Sequence, residues 1–274
     1  MTTAHGRFVW YELSTTDAES AKAFYAKVVG WGTRDAVTPG PAYAFFTAGQ
    51  VPVCGLTELL SDAAANDGEM SRWIGYVAVD DVDAAAGRVE SLGGTVRVPP
   101  TDVPGISRFS IIADPEMATL ALVKGVQSAQ TEGEALRARG RIGWHELLAA
   151  NCETAFTFYR ELFGWRKGIA EDGPLGTYLL FSAAEETAGG IATRQAAVPM
   201  SLWLYYFNVG DIDAAAVRVK EGGGAVLNGP HEVPDGSWII QCTDPQNAMF
   251  ALAGRRSYGA GGFMDRVMPR PSAN

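Results

Sequence analysis

Phe8 to Leu13 alternates large apolar residues with polar or aromatic ones, the period-two pattern of a half-buried strand. Thr16-Asp17-Ala18-Glu19 follows and predicts a helix start. A hydroxyl or carboxylate there takes orphan backbone N–H groups, and Glu19 favours the positive helix end. Ala21, Phe24, Tyr25 and Val28 then recur at helical spacing, and Gly30 sits where a left-handed C-terminal cap belongs. Strands are expected at Tyr43–Thr47 and Val51–Leu56, with a turn at Ala48-Gly49-Gln50, and again from Trp73 to Val79. Residues 61–71 are small and polar and read as a loop. Asp81-Val82-Asp83 opens a second helix through Leu92, which Gly93-Gly94 ends. A short strand runs from Thr95 to Val98, where Pro99-Pro100 is expected to break it. Val103-Pro104-Gly105 makes a turn, and Arg108–Ala113 and Thr119–Val123 form a hairpin about Asp114-Pro115.

The whole pattern then occurs again. Gly6-Arg7-Phe8-Val9-Trp10-Tyr11-Glu12-Leu13 is matched by Gly140-Arg141-Ile142-Gly143-Trp144-His145-Glu146-Leu147, a shift of 134 that also carries Tyr25 to Tyr159 and Gly30 to Gly164. Tyr178–Ser182 matches Tyr43–Thr47, and Trp203–Val209 matches Trp73–Val79. Asp211-Ile212-Asp213 matches Asp81-Val82-Asp83, and Asp244-Pro245 matches Asp114-Pro115, the later shift being 130. The expected organisation is a first module over 1–124, a linker over 125–139, a second module over 140–254 and a tail over 255–274. The tail is either loose or lies across the other module. Each module reads as strand–helix–three strands, twice over. Side by side, the two halves give a curved sheet with helices on one face and a concave cup on the other.

Composition narrows the function. With 274 residues, 47% hydrophobic and 19% charged, the chain is globular and long enough for two cores. A formal net charge of -9 argues against a nucleic-acid groove and an anionic membrane surface. Three sparse cysteines, Cys54, Cys152 and Cys242, suit a reducing compartment. Met1–Gly6 lacks a basic start before an apolar run, and nothing approaches the roughly 20 apolar residues of a membrane span. A cytoplasmic protein with a small-molecule ligand is expected, with neither nucleic acid nor membrane as partner. It would be a monomer with an internal pseudo-dimer, or a homodimer.

The Asp17…Phe24-Tyr25…Gly30-Trp31 run, the Val79-Asp80-Asp81-Val82-Asp83 run, the Asp114-Pro115 hairpin and their second copies resemble the vicinal oxygen chelate group. That group includes glyoxalase I, extradiol dioxygenases and bleomycin-resistance proteins. The resemblance covers nearly the whole chain. It implies an α+β fold of tandem βαβββ units, two glyoxalase-like modules with curved mixed sheets forming cups. The subgroup with Trp-x-Glu-Leu on its first strand is the most similar; its members are paired-module proteins, some described as hydroxylase-like. The resemblance also implies where a divalent metal would sit, at three places that carry His, Gln or Glu. Here those places hold Trp10, Ile74 (or Trp73) and Ala121, and in the second copy Trp144, Leu204 (or Trp203) and Ala251. None of these side chains binds a hard or borderline cation. No metal and no other cofactor is therefore expected.

Strand parity puts Trp10, Glu12 and Ser14 on one face and Tyr11 and Leu13 on the other, and the resemblance turns the Trp10 face to the cup. Glu12 and Glu146 would then be carboxyls beside an indole in a partly apolar pocket. Such surroundings disfavour the charged form and suit a general acid or base. The alternative is a structural role, with hydrogen bonds to backbone or to Arg7 and Arg141. Trp10 and Trp144 are either stacking walls for a flat ligand or plugs in the space a metal would take. Tyr76 and Tyr206 share the cup parity, and Tyr43 and Tyr178 stand on the neighbouring strand. His145 points away, toward the helix layer, as a structural histidine. His231, in a loop after Gly229-Pro230 with Glu232 beside it, is a second-rank ligand contact. There is no Gly-x-Ser-x-Gly elbow, and Gly222-Gly223-Gly224 stops a helix and does not cradle phosphate.

Three functional readings follow. One is a metal-independent protein that sequesters or converts an apolar, aromatic, natural-product-like molecule. If it is an enzyme, it is a glyoxalase-like lyase or isomerase, or hydroxylase-like, with Glu12 or Glu146 as acid/base. The second is a metal-dependent glyoxalase or dioxygenase with an atypical ligand set drawn from Glu12, Glu146 and His231. The third is a structural or interaction module with filled cups.

Overall fold

The computed structural model describes residues 4–36, 42–59, 70–126, 137–173, 176–196 and 198–257. Most of the loop expected at 61–71, of the linker at 125–139 and of the tail lies outside these residues. The first module comprises β1 (Phe8–Thr15), α1 (Ala18–Val28), β2 (Gly32–Asp35), β3 (Tyr43–Ala48) and β4 (Val51–Glu58), then β5 (Arg72–Ala78), α2 (Val82–Ser91), β6 (Thr95–Val103), β7 (Ser107–Ala113) and β8 (Thr119–Lys124). The second comprises β9 (Ile142–Ala149), α3 (Cys152–Phe163), β10 (Arg166–Gly173), β11 (Gly176–Ala183), β12 (Glu186–Thr193), β13 (Leu202–Asp211), α4 (Ile212–Glu221), β14 (Ala225–Glu232), β15 (Trp238–Thr243) and β16 (Met249–Arg255).

Each module forms one curved, mixed, eight-stranded sheet of two βαβββ halves, the α+β architecture expected from the repeat. The orders are β2-β3-β4-β1-β5-β8-β7-β6 and β10-β11-β12-β9-β13-β16-β15-β14. The halves join where β1 runs antiparallel to β5 and β9 to β13. Among the described residues no helix is long and apolar enough to cross a membrane.

The helix starts follow the capping chemistry. Asp17 caps α1 by accepting from Ser20 N at 2.9 Å, so the carboxylate and not the Thr16 hydroxyl does the work. Asp81, Asn151 and Asp211 repeat the contact at the other three helices. Gly30 follows α1 at φ +89° and donates to Tyr25 O. Strand β2 escaped sequence reading because all four of its residues are exposed and no apolar period marks it. Pro99-Pro100 does not end a strand: β6 continues through both to Val103. It is the edge strand of its sheet, and register shifts between Val96 and Thr101 absorb the missing donors.

The two sheets stand back to back. Tyr11, Leu13, Phe46, Trp73, Tyr159, Phe181, Trp203 and Phe207 belong to one continuous core fed by both modules and by all four helices of the described residues. The opposite faces carry separate small clusters, Val9, Ile74, Tyr76 and Ala121 in the first module and Leu204, Tyr206 and Ala251 in the second. Both cups therefore face away from the junction. A bulge between Phe8 and Trp10 breaks the simple alternation, so that Val9 and Trp10 both join the cup side while Phe8 packs on the core.

The junction is hydrogen-bonded with pseudo-twofold symmetry. Trp73 Nε1 donates to Tyr25 Oη at 2.8 Å, and Tyr25 Oη donates to Asp244 of the second module at 3.1 Å. Trp203 Nε1 donates to Tyr159 Oη at 3.0 Å, and Tyr159 Oη to Asp114 of the first module at 2.8 Å. Trp31 Nε1 reaches Gly140 O at 2.8 Å and Trp165 Nε1 reaches Gly6 O at 2.7 Å. The symmetry fails at the centre, where Tyr205 projects into the space that Gly75 leaves and accepts from its N–H at 2.7 Å.

His145 is structural, as its parity implied. It is buried, stacks on Phe8 with centroids 3.9 Å apart, and lies 2.5 Å from Tyr11 Oη through Nε2 and 2.6 Å from Ala188 O through Nδ1. A carbonyl can only accept, so Nδ1 carries the proton and Nε2 accepts from Tyr11. Burial lowers the imidazole from an ordinary 6.5 to about 4. The unfolded chain protonates His145 near its ordinary value and the folded chain resists, so the contribution to stability is complete above pH 6.5 and declines as the pH falls toward 4. The loss is about 3 kcal/mol across that window. Urea unfolding of the wild type and His145→Gln from pH 8 to pH 4.5 checks this. The variant is expected to lose the acid-side decline that the wild type shows, and equal pH slopes would contradict it.

Candidate functional site

The first-strand acids lie on the cup faces, each in a nest of hydroxyls. Glu12 Oε2 accepts from Tyr43 Oη at 3.1 Å and Oε1 from Thr57 Oγ1 at 3.4 Å, and the Tyr76 hydroxyl also bonds it. Trp10 Nε1 donates to Tyr43 Oη at 3.3 Å. Glu146 repeats the arrangement: Oε2 accepts from Tyr206 Oη at 2.7 Å and Gln241 Nε2 at 3.2 Å, with Tyr178 as a further donor. Trp144 Nε1 donates to Tyr178 Oη at 3.1 Å. Trp10, Tyr43 and Tyr76 thus gather on Glu12, and Trp144, Tyr178 and Tyr206 on Glu146. Among the described residues, the hydrogen-bond partners of the two acids are phenols, a threonine and an amide.

Backbone geometry makes room for this. Glu12 stands opposite Gly55 on β4, and Glu146 opposite Gly190 on β12. A methyl at Gly55 would overlap the Tyr43 hydroxyl, and one at Gly190 the Tyr178 ring. The missing Cβ atoms let each tyrosine lie across the strand to its acid. Glycine inside a strand marks such a close approach, and the repeat aligns the two, so the sequence held the signal. Thr57 and Gln241 were not foreseen because hydrogen-bond donors near a carboxylate leave no periodic trace.

Burial drives both carboxyls above the ordinary range, against the opposing pull of the hydroxyl donors. The neighbouring phenols are raised too, first by burial and then by the carboxylate beside them. The clusters differ at one position. Gln241 on β15 reaches Glu146 and also Tyr206 Oη at 3.4 Å, whereas β7 of the first module carries Ile111, which packs on its cup cluster.

The three positions where the resemblance places metal ligands do converge. Ile74 and Ala121 form the floor of the first cup with Trp10 packed on it, and Leu204, Ala251 and Trp144 that of the second. They supply no donor atom except the indole N–H, which does not ligate. Each floor offers a single carboxylate already engaged by hydroxyl donors, and no group of three His, Cys, Asp or Glu comes together among the described residues. This donor set does not fit a divalent cation. The ligand set Glu12, Glu146 and His231 is not assembled either. The two acids belong to different sheets. His231 lies on β14, not in a loop, exposed and opposite Ile239, with Nε2 2.8 Å from Asn228 Oδ1. It is four strands from β9, about 19 Å across the sheet.

The model of the Glyoxalase/Bleomycin resistance protein/Dioxygenase superfamily matches residues 7–122 and again 141–252. The chain belongs to this superfamily. Within it, the chain is 30% identical over 245 residues to "Putative glyoxylase CFP32" of Mycobacterium tuberculosis, covering 89% of this chain and 92% of that protein. It is likewise 30% identical over 264 residues to the anthracycline biosynthesis protein DnrV of Streptomyces peucetius, covering 91% and 93%. The Mn(II)-bound glyoxalase from Novosphingobium aromaticivorans shares the superfamily fold, with a TM-score of 0.62 at 18% identity over 92% of this chain and 83% of that one.

The glycine argument is testable. Gly55→Ala is expected to push Tyr43 off Glu12, to alter the Trp10 fluorescence and to cost about 1–3 kcal/mol in urea unfolding. Gly210→Ala, exposed, with open space around it and no left-handed backbone, serves as the surface control. An unchanged emission spectrum and midpoint for Gly55→Ala would contradict the geometry.

Proposed function

We propose that the protein binds a planar, largely apolar aromatic molecule in one or both cups without a resident metal ion, and that any turnover uses Glu12 or Glu146 as acid/base. The observation that carries this reading is the duplicated cluster in which a tryptophan, two tyrosines and a carboxyl, half-buried at Glu12 and buried at Glu146, stand in place of a cation-binding floor. Indole and phenol faces stack on flat rings, each pair adding about 0.5–1.5 kcal/mol beyond area burial. A carboxyl raised by burial holds its proton to higher pH than an exposed one, and a tyrosine hydroxyl beside it can donate to a ligand oxygen where charge develops. The likeness to anthracycline biosynthesis proteins supports a polycyclic, polyketide-like ligand.

Two measurements on the purified full chain test the proposal. Elemental analysis is expected to find no stoichiometric divalent ion. Titration with 1,8-dihydroxyanthraquinone is expected to quench tryptophan fluorescence saturably and equally with and without EDTA. One tightly held ion per module, or ligand binding that chelation abolishes, would overturn the reading and favour the metal-dependent alternative.

A further inference from the structure

The two cups differ along one row of the sheet. In the first module Arg34, Phe45, Gly55, Glu12 and Ile74 are direct cross-strand partners in sequence, from the edge strand β2 to β5. Directly opposed residues share a face, so the row runs from a rim cation to the floor acid. Arg34 Cζ lies over the Phe45 ring, 5.5 Å from its centroid. Phe45 in turn packs edge-on against Trp10 and Tyr43, at 6.0 and 5.2 Å. Arg34 is exposed and has no carboxylate partner among the described residues, whereas the neighbouring Asp35 pairs with Lys22. Tyr76 and Phe109 extend the aromatic lining on the other side of Glu12.

The corresponding row of the second module is Leu180, Gly190, Glu146 and Leu204, with Gly168 of β10 packed against Leu180. Arginine and phenylalanine are lost together, and Ile239 stands where Phe109 does. The acid there is instead engaged by the Gln241 amide, which Ile111 cannot supply in the first module. The duplicated scaffold thus keeps the acid and its tyrosines in both copies, and keeps the cation on its aromatic ring in one.

We infer that the first cup is the site for an aromatic anion, a fused-ring molecule bearing a carboxylate or phenolate. Its rings lie on Phe45, Trp10 and Tyr43, and its anionic group meets the Arg34 guanidinium. A guanidinium held over a ring is preorganised for this: the contact uses its π face and leaves N–H donors for an oxyanion. Cα separation from Arg34 to Glu12 is three strand spacings, about 14 Å, so one ligand of this class spans cation and acid. The second cup, without the cation and with its acid capped by Gln241, does not discriminate by charge. This inference rests on the aromatic-ligand reading above and adds which cup and which charge.

The test uses a matched pair of probes, 1,8-dihydroxyanthraquinone and its 3-carboxylic acid, titrated at pH 6.5 against the full chain by tryptophan fluorescence. The wild type is expected to bind the acid about five-fold more tightly than the neutral probe, the range of a partly exposed arginine–carboxylate pair. Arg34→Gln is expected to abolish that preference, so that acid and neutral probe bind equally, while leaving the melting temperature unchanged. Phe45→Leu is expected to weaken both probes, and Trp10→Phe, not Trp144→Phe, to remove the acid-specific quenching. Persistence of the preference in Arg34→Gln, or its dependence on Trp144, overturns the inference alone. Equal binding of both probes by the wild type does the same. Failure of the acid alone to bind also overturns the inference alone, whereas failure of both probes overturns the aromatic-ligand reading together with it.

Discussion

Two buried tyrosine–aspartate hydrogen bonds, Tyr25 to Asp244 and Tyr159 to Asp114, tie the modules across their shared core. Each aspartate also accepts from two backbone amides of its own hairpin, Asp114 from Glu116 and Ala118 and Asp244 from Gln246 and Ala248. The bonds are to ionisable groups in a dry interior, where such contacts contribute about 1.5–3 kcal/mol each. Their effect on function is directional. A sheet clamped by one face has only its other face to offer, so both cups open away from the junction. Every cup residue therefore answers to one module's own strands, and the two sites diverge without disturbing the clamp.

That freedom is visible in the cups. The floor where relatives of this architecture could place a cation is closed by Ile74 and Ala121, and by Leu204 and Ala251, beneath an indole. The remaining acid is not left bare. Its oxygens accept from phenols, and the glycines opposite it exist because the phenol rings lie where a methyl would be. Burial and hydrogen bonding pull the carboxyl in opposite directions, and burial prevails. The result is a protonatable group set among aromatic side chains.

Much of this was legible in the chain. The helix caps, the Asp-Pro hairpins and the duplicated strand order rest on local rules of period, capping and turn formation. The assignment of Glu12 to the cup and His145 to the helix layer rested on strand parity together with the resemblance, which turned the Trp10 face to the cup. Other features were not legible, for physical reasons. Pro99-Pro100 reads as a break because its position on an unpaired edge is a property of the sheet. Strand β2 has no buried residue to mark it. The Tyr–Asp clamp joins positions 45 and 219 residues apart that lie in different modules, and nothing in Asp114-Pro115 distinguishes a turn aspartate from one that also holds another module. Arg34 looks like an ordinary surface charge until its register against Phe45, Gly55 and Glu12 is known.

The account turns on Glu12 and Glu146 being carboxyls raised by burial within a cage of hydroxyls. Carbon-13 NMR titration of protein labelled at the glutamate side-chain carboxyl reports this directly, with Glu12→Gln and Glu146→Gln assigning the two resonances. Two carboxyls titrating above the exposed glutamates are predicted. Both resonances moving together with the exposed glutamates would contradict the account.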